Sequence, residues 1–190
     1  VLGHSAGAAI GARMVLDRAV EGARLVGLAA ALEPLAGVGR MVLPVSARLL
    51  AKGLASPAGA AVAARRLGRR EVVEQTLRGT GSRLDAAGDE RYRRLAARPE
   101  HVAGVVAMLS AWDLEPLHAA IPRLEAPVLL IAGVRDRAVG PSQTLAAAAR
   151  FRRARIAAVP RAGHLPQEEQ PELVARILRE ELDDAPQGCI

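Results

Sequence analysis

The feature that most constrains this chain is a five-residue turn, residues 3–7 (Gly-His-Ser-Ala-Gly), that joins an apolar strand to a helix. Val1 and Leu2 are typical of the end of a buried strand. Residues 6–19 predict a helix whose small side chains face that strand. A serine with glycines two positions before and after it, at a strand-to-helix turn, indicates a sharply turned backbone with an exposed hydroxyl. The alternative is a glycine-rich turn without chemistry.

Each position of this turn has an expected role. We expect Ser5 to be the nucleophile, with Gly3 and Gly7 leaving room for the neighbouring strand and helix. The backbone N–H of Ala6 is expected to be one donor of an oxyanion hole, because the amino end of the helix adds positive potential there. His4 lies beside the nucleophile, but we expect its side chain to turn away from Ser5 and to pack as a structural histidine under the turn.

A base and an acid are expected later in the chain. A serine hydroxyl needs a base to take its proton, and the base needs a third group to orient it. Asp136 follows the apolar strand predicted over 127–133, and His164 follows the strand predicted over 154–159. Because the carboxyl ends of parallel strands meet at one edge of a sheet, we expect both side chains beside Ser5. Taken singly, each residue has a structural alternative that is equally compatible with the sequence. Asp136 could cap a helix, and His164 could be a histidine of a surface loop.

The order of predicted elements indicates an α/β protein with a parallel sheet and helices on both faces. A strand over 24–31 precedes a purely helical block, after which strands and helices alternate again. We therefore predict three segments: a core over 1–33, a helical insertion over 34–118 that covers the active-site crevice as a lid, and the rest of the core over 119–190. Helices are predicted over 45–52, 58–67, 70–77, 88–97, 100–110, 142–150 and 171–182.

The net charge is concentrated in the helical block. The chain carries a formal net charge of +6, and 13 basic against 8 acidic side chains lie in residues 40–115. Nucleic-acid sites interleave basic and aromatic side chains, and this segment has only Tyr92 and Trp112 as aromatics, so we expect no nucleic-acid partner. A solvated arginine-rich surface and attraction of an anionic substrate or acidic partner both remain open.

Other polar residues of the helical block are expected to be structural. We expect His101 and His118 to lie on helix surfaces. Asp113 is expected to cap a helix rather than to face a pocket. Ser82 with Asp85 is compatible with a capping box, because the segment around Ser82 lacks the Gly-Lys-Ser/Thr of a phosphate-binding loop.

Several classes of protein are excluded or not expected. No spacing typical of metal ligands occurs, so we expect no metal and no cofactor. The single Cys189 excludes an internal disulfide, and no apolar run reaches the roughly 18 residues that a membrane span needs. Apolar side chains make up 51% of the chain, but 40 of its residues are alanine, which buries little area per residue.

Two parts of the chain resemble known families. Residues 1–33 and 119–190 resemble the α/β-hydrolase superfamily through their serine, acid and histidine segments. The helical block, together with residues 4–9, more particularly resembles the magnesium-chelatase accessory proteins of bacteriochlorophyll biosynthesis (the BchO family). The motifs that carry this second resemblance are His4-Ser5-Ala6-Gly7-Ala8-Ala9, Gly79-Thr80-Gly81-Ser82-Arg83-Leu84-Asp85, Tyr92, Pro99-Glu100-His101-Val102-Ala103-Gly104, Met108 and Trp112-Asp113-Leu114.

The second resemblance implies a serine hydrolase-fold accessory factor for inserting Mg²⁺ into protoporphyrin IX. It implies a cytoplasmic protein with a porphyrin as its small-molecule substrate and magnesium chelatase subunits as partners. Met108 and Trp112 are the candidates for the substrate pocket, and an arginine-rich lid is compatible with a flat apolar porphyrin that carries two carboxylates. Two alternatives remain: an esterase of small acyl substrates with the same three residues, and a non-catalytic tetrapyrrole-binding protein.

The chain begins inside a predicted strand. We therefore expect the first strands of the superfamily, and the loop that supplies the second oxyanion donor, to lie outside these 190 residues. Losing an oxyanion donor costs on the order of 10²–10³ in rate. We accordingly expect the 190-residue piece by itself to be inactive and poorly folded.

Overall fold

In the part of the chain that the structure describes, four parallel strands form one sheet. The computed structural model describes residues 1–20, 22–34, 53 and 56–183. In these residues the sheet has the order β1-β2-β3-β4, and every neighbouring pair is parallel. The strands are β1 (Leu2–His4), β2 (Leu25–Leu28), β3 (Val128–Gly133) and β4 (Ala154–Val159). All six residues of β3 are buried, as expected of an apolar strand covered on both faces.

The helices alternate with the strands or follow one another in the middle of the chain. They are α1 (Ala6–Leu16), α2 (Pro57–Leu67), α3 (Arg70–Gly79), α4 (Ala86–Ala96), α5 (Pro99–Ser110), α6 (Glu115–Ala120), α7 (Pro141–Ala148), α8 (Pro166–Glu169) and α9 (Pro171–Asp183). A 3₁₀ turn (Ile121–Arg123) follows α6. The predicted fold class, a parallel α/β sheet with flanking helices, is confirmed.

Some predicted boundaries differ from those of the structure. The helix predicted over 6–19 ends at Leu16, because Arg18 adopts a positive φ of 55°, which terminates a helix. The short helices α6 and α8 were not predicted, since six and four residues span too few turns to show a helical period. The helix predicted over 45–52 lies outside the described residues.

The chain divides into two compact units. The first unit comprises Val1–Glu33, Thr80–Arg83 and Pro116–Ile190, and the second comprises Pro34–Gly79 and Leu84–Glu115. The predicted insertion over 34–118 thus includes two stretches that belong to the sheet unit, Thr80–Arg83 and residues 116–118. That the second unit acts as a lid stays a prediction.

Small residues bring α1 close to the sheet. Ala8 and Ala12 are completely buried, and a Cβ added to Gly11 would lie 2.9 Å from the Val1 side chain and 3.2 Å from that of Leu25. An alanine buries far less area than a leucine, which contributes about 1.5–3 kcal/mol when fully buried. The larger fully buried side chains lie elsewhere, among them Leu25 of β2, Ile131 of β3 and Ile121 of the 3₁₀ turn. One buried apolar cluster of the core consists of Leu28, Leu129, Ile131, Val159, Ala162 and Val174.

The surface of the second unit carries arginines that pair along their own helices. Glu74 bonds to Arg70 at 2.9 Å and to Arg78 at 3.1 Å along α3. In α4, hydrogen bonds from Arg93 and then Arg94 lower the pKa of Glu90 to about 2. These pairs are exposed to solvent and screened by salt, so they order the surface more than they stabilise the fold.

Candidate active site

Ser5 lies in a strained turn between β1 and α1. Its backbone has φ 51° and ψ −119°, and a positive φ is uncommon for a residue other than glycine. The turn is held by its neighbours: Ser5 N–H donates to the Leu28 carbonyl at 2.9 Å, and the Ser5 carbonyl accepts from Ala8 N–H and Ala31 N–H at 3.1 and 3.2 Å. Such strain persists only where surrounding contacts over-determine it. Here those contacts come from both β2 and α1.

The two glycines of the turn differ in the space that surrounds them. A Cβ added to Gly3 would lie 2.6 Å from Ala8 N and closer still to the Gly7 carbonyl, so a side chain at Gly3 is excluded. At Gly7, no described atom lies within 4 Å of an added Cβ. Only the backbone of Gly7 and Ala8 crowds the Gly3 position, and an added side chain at Gly7 would meet no neighbour. The role of the two glycines in the serine turn stays a prediction.

Asp136 lies in the turn after β3, and its side chain is fully buried. One carboxylate oxygen, Oδ1, accepts the N–H groups of Ala138 and Val139 at 2.8 and 2.9 Å. The other, Oδ2, lies 2.9 Å from Nδ1 of His164. The alternative that Asp136 caps a helix is wrong, because Gly140 occupies the N-cap of α7.

His164 follows β4 and joins Asp136 to Ser5. A carboxylate only accepts hydrogen bonds, so the ring carries its proton on Nδ1 and donates it to Asp136. Nε2 is then the acceptor, and it lies 3.1 Å from Ser5 Oγ. With 14% of its side chain exposed, His164 lies at the edge of solvent. The structure thus brings the predicted nucleophile, base and acid into one hydrogen-bonded chain, an arrangement that can activate a serine for attack.

His4 packs against the residue that is expected to be the base. Its Nε2 lies 2.7 Å from the backbone carbonyl of His164, and the two ring centroids are 4.9 Å apart. Burial lowers the pKa of His4, and this effect outweighs the hydrogen bond with His164, which raises it. The sequence predicted a structural histidine under the turn, but its contact with the His164 loop was not anticipated.

Ala6 is the first residue of α1. The first N–H groups of a helix have no acceptor within the helix, so the Ala6 N–H is chemically suited to an oxyanion. Its role as a donor stays a prediction.

The pocket candidates Met108 and Trp112 belong to the second unit. Met108 lies on α5 with 38% of its surface exposed, and Trp112 follows the end of that helix, where its N–H donates to the Leu109 carbonyl at 3.3 Å. Their contribution to a substrate pocket stays a prediction.

An apolar cavity of about 360 Å³, which was not predicted from the sequence, lies within the second unit. It is lined by side chains of α2 to α5, among them Val73, Leu77, Leu95 and Val102. The repeat of apolar residues at positions 73, 77 and again at 102 and 106 was the available signal. Met108 and Trp112 do not belong to its lining.

Two polar residues of the helical block have other roles than predicted. His118 is half-buried, with Nε2 3.2 Å from Glu33 Oε2, rather than on a helix surface. Ser82 forms no capping box, because its hydroxyl is fully buried against Leu165. The N-cap of α4 is Asp85, which accepts the Gly88 N–H at 2.7 Å.

The remaining candidates lie where the sequence suggested. His101 is exposed on α5. Asp113 accepts the N–H of Glu115, the first residue of α6, at 3.0 Å, as expected of a capping residue. Among the described residues, no group of three or more His, Cys, Asp or Glu side chains could hold a metal ion. No helix in that part of the chain is long and apolar enough to cross a membrane.

The parallel sheet, the strained turn at Ser5 and the loops that bring Asp136 and His164 to this serine are typical of an α/β hydrolase fold. The model of the alpha/beta hydrolase family matches residues 1–177, and the chain belongs to this family. A particular relative narrows the comparison: the chain is 46% identical over 151 residues to the magnesium-chelatase 30 kDa subunit of Rhodobacter capsulatus. The resemblance predicted from the helical block is thereby confirmed. The match covers 80% of this chain, which spans about half (51%) of that relative.

Solved structures share the fold at low identity. MenH from S. aureus matches with a TM-score of 0.73 and 14% identity over 96% of this chain and 67% of its own. An esterase from Exiguobacterium antarcticum matches with a TM-score of 0.71 and 14% identity, over 96% of this chain and 66% of its own. A thermophilic esterase from Thermogutta terrifontis has a TM-score of 0.67 and 24% identity, over 96% and 63%. These similarities establish the architecture alone.

Proposed function

We propose that this chain is part of a serine hydrolase that serves as an accessory factor for magnesium insertion into protoporphyrin IX. The observation that carries the chemistry is the continuous hydrogen-bonded chain from Asp136 through His164 to Ser5. The biological setting is supported by the 46% identity to a magnesium-chelatase subunit.

In this mechanism His164 Nε2 accepts the Ser5 hydroxyl proton while Oγ attacks a carbonyl carbon of the substrate. The buried Asp136 carboxylate stabilises the imidazolium that forms. It is itself fixed by two backbone N–H groups, so little reorganisation is needed. His164 then returns the proton to the leaving group. Water, activated by the same base, hydrolyses the acyl-serine and releases the acid.

The negative oxygen of the tetrahedral intermediate needs hydrogen-bond donors. We assign the Ala6 N–H to this role, because the amino end of α1 adds positive potential at the same place. The turn geometry supports the assignment, since Ser5 and the first residue of α1 are consecutive.

The substrate class follows from the second unit in this proposal. A porphyrin presents a flat apolar face and two carboxylates, and exposed arginines such as Arg91 and Arg98 are suited to pair with carboxylates. Met108 and Trp112 are the proposed pocket residues, the second unit is the proposed lid, and magnesium chelatase subunits are the proposed partners. A cytoplasmic location stays a prediction.

The test compares full-length protein with its Ser5→Ala variant. We expect the wild type to be labelled by a fluorophosphonate and to stimulate formation of magnesium protoporphyrin by magnesium chelatase, and we expect Ser5→Ala to lose both. Ser110→Ala is the matched control, because it removes a hydroxyl bonded only to its own helix at Ala107.

Two other outcomes separate the alternatives. If Ser5→Ala is not labelled but stimulates the chelatase fully, the protein acts as a non-catalytic tetrapyrrole binder. If the wild type hydrolyses small esters and has no effect on the chelatase, it is an esterase of small acyl substrates.

A further inference from the structure

Four residues between α3 and α4, Thr80–Arg83, pack with the sheet unit although the helices on either side belong to the second unit. We call them the bridging segment. Its position cannot be explained by the capping role that its sequence suggested for Ser82. It contacts both of the loops that carry Asp136 and His164.

On one side the bridging segment adjoins the loop of Asp136. The Thr80 carbonyl accepts the N–H of Arg137 at 3.0 Å. Gly81 has a φ of +86°, and a Cβ added there would overlap the carbonyl oxygen of Arg135. The segment therefore contacts the backbone immediately before and immediately after Asp136.

On the other side the segment adjoins the loop of His164. Ser82 is fully buried, and its hydroxyl oxygen accepts the N–H of Leu165 at 3.1 Å. A Cβ added to Gly163 would overlap the backbones of Gly81 and Ser82. The segment thus also contacts the residues on both sides of His164.

Glu169 of α8 completes the connection. One of its carboxylate oxygens, Oε1, accepts the Gly163 N–H at 2.9 Å, and the other, Oε2, accepts the Arg83 N–H at 3.1 Å. Hydrogen bonds to an ionised acceptor are stronger than neutral ones. This carboxylate therefore ties the start of the His164 loop to the end of the bridging segment.

We propose that Ser82 and Glu169 are positioning residues that hold the acid and base loops at the separation their hydrogen bond needs. Asp136 and His164 lie 28 residues apart on separate loops, yet Oδ2 and Nδ1 are 2.9 Å from each other. A misplacement of about 1 Å can cost about 10²-fold in rate, so loops that carry such a pair need a rigid spacer. The bridging segment supplies it by contacting both loops at once.

The consequence for rate rests on the proposed hydrolase function, whereas the consequence for the Asp136–His164 bond does not. The experiment therefore uses two readouts on full-length protein. The first is the rate at which a fluorophosphonate labels the protein, with kcat and KM for a small ester. The second is the downfield proton resonance of the His164 Nδ1–H, which reports its hydrogen bond to Asp136 without any turnover.

Ser82→Ala leaves the Leu165 N–H buried without its partner. Glu169→Gln replaces one acceptor oxygen with an amide group that faces a backbone N–H. Because Glu169 is only partly buried, we expect this variant to fold even if Ser82→Ala does not. For both we expect labelling and kcat to fall about 10- to 100-fold with little change in KM, and the His164 resonance to weaken or disappear. Ser110→Ala and Glu172→Gln, which change exposed or helix-bonded positions, should match the wild type in both readouts.

Two results would overturn the proposal. One is a folded Glu169→Gln with the wild-type resonance and labelling rate. The other is a lower melting temperature for Ser82→Ala or Glu169→Gln with an unchanged His164 Nδ1–H resonance and an unchanged kcat. That result would mean that the residue only stabilises the fold. If the wild type itself is not labelled, the hydrolase function fails, but loss of the resonance in the variants still supports the positioning role.

Discussion

The imidazole of His4 donates its Nε2–H to the backbone carbonyl of His164 across 2.7 Å. A carbonyl only accepts, so this bond fixes the tautomer of His4 as well as the backbone of the residue expected to be the base. Burial lowers the pKa of His4, which favours the neutral ring. A neutral neighbour is what His164 needs, because a second positive charge 4.9 Å away would oppose the imidazolium formed when His164 accepts a proton.

The lowered pKa of His4 predicts a loss of stability in acid. The ordinary pKa of histidine is 6.5. Below this pH, His4 binds a proton in the unfolded state more readily than in the folded state, so the free energy of unfolding decreases as the pH is lowered. The groups that act on His4 are His164, Asp136 and Glu168. We expect urea unfolding to show a smaller decrease between about pH 7 and about pH 5 in His4→Asn than in the wild type.

Ser110→Ala, which removes no titratable group, offers the control for this measurement. It should keep the wild-type dependence of stability on pH. An equal pH dependence in His4→Asn and the wild type would contradict the assignment to His4.

Asp136→Asn tests the tautomer of His164. The amide would present an N–H to Nδ1, so the ring would carry its proton on Nε2 and could no longer accept one from Ser5. We expect labelling by a fluorophosphonate to slow by on the order of 10⁴ with the fold retained. Asp17→Asn, which alters only an exposed pair with Arg13, should label normally. Rapid labelling of Asp136→Asn would show that His164 is not oriented by this carboxylate.

The two glycines of the serine turn predict opposite effects of alanine. Gly3→Ala would drive a Cβ to within 2.6 Å of Ala8 N, and overpacking of this kind costs about 1–3 kcal/mol or more. Gly7→Ala enters open space within α1, where alanine is favoured over glycine by about 1 kcal/mol. Chemical denaturation of the two variants checks both signs. A destabilised Gly7→Ala would show that a side chain is excluded there as well.

Glu181 joins α9 to the sheet through two arginines. It is 7% exposed, with Oε1 3.1 Å from Arg24 Nη1 and Oε2 3.2 Å from Arg155 Nη1. Because both arginines keep some access to water, we expect Glu181→Ala to lower the free energy of unfolding by about 1–3 kcal/mol rather than by the larger cost of a fully buried pair. Glu180→Ala, exposed on the same helix, should change stability little. Equal unfolding midpoints for the two variants would contradict this role.

The fold could be predicted where local pattern decides it. β3 and β4 were expected within a residue of their observed bounds, because a short apolar run between turn residues is recognisable without its neighbours. The positions of Asp136 and His164 followed from the same logic, since a residue just after a parallel strand must lie at the carboxyl edge of the sheet. Helices of four or six residues could not be predicted in this way.

What the sequence alone determined is which residues lie next to the ends of strands, because strand pattern and turn chemistry are properties of neighbouring residues. The tertiary structure alone decided the contacts between distant segments: Leu165 with Ser82 across 83 residues, and His4 with the His164 carbonyl across 160. A hydroxyl that caps its own helix and one that braces a remote loop look the same in sequence. Only the packing of the chain, which buries one N–H beside one oxygen, distinguishes them.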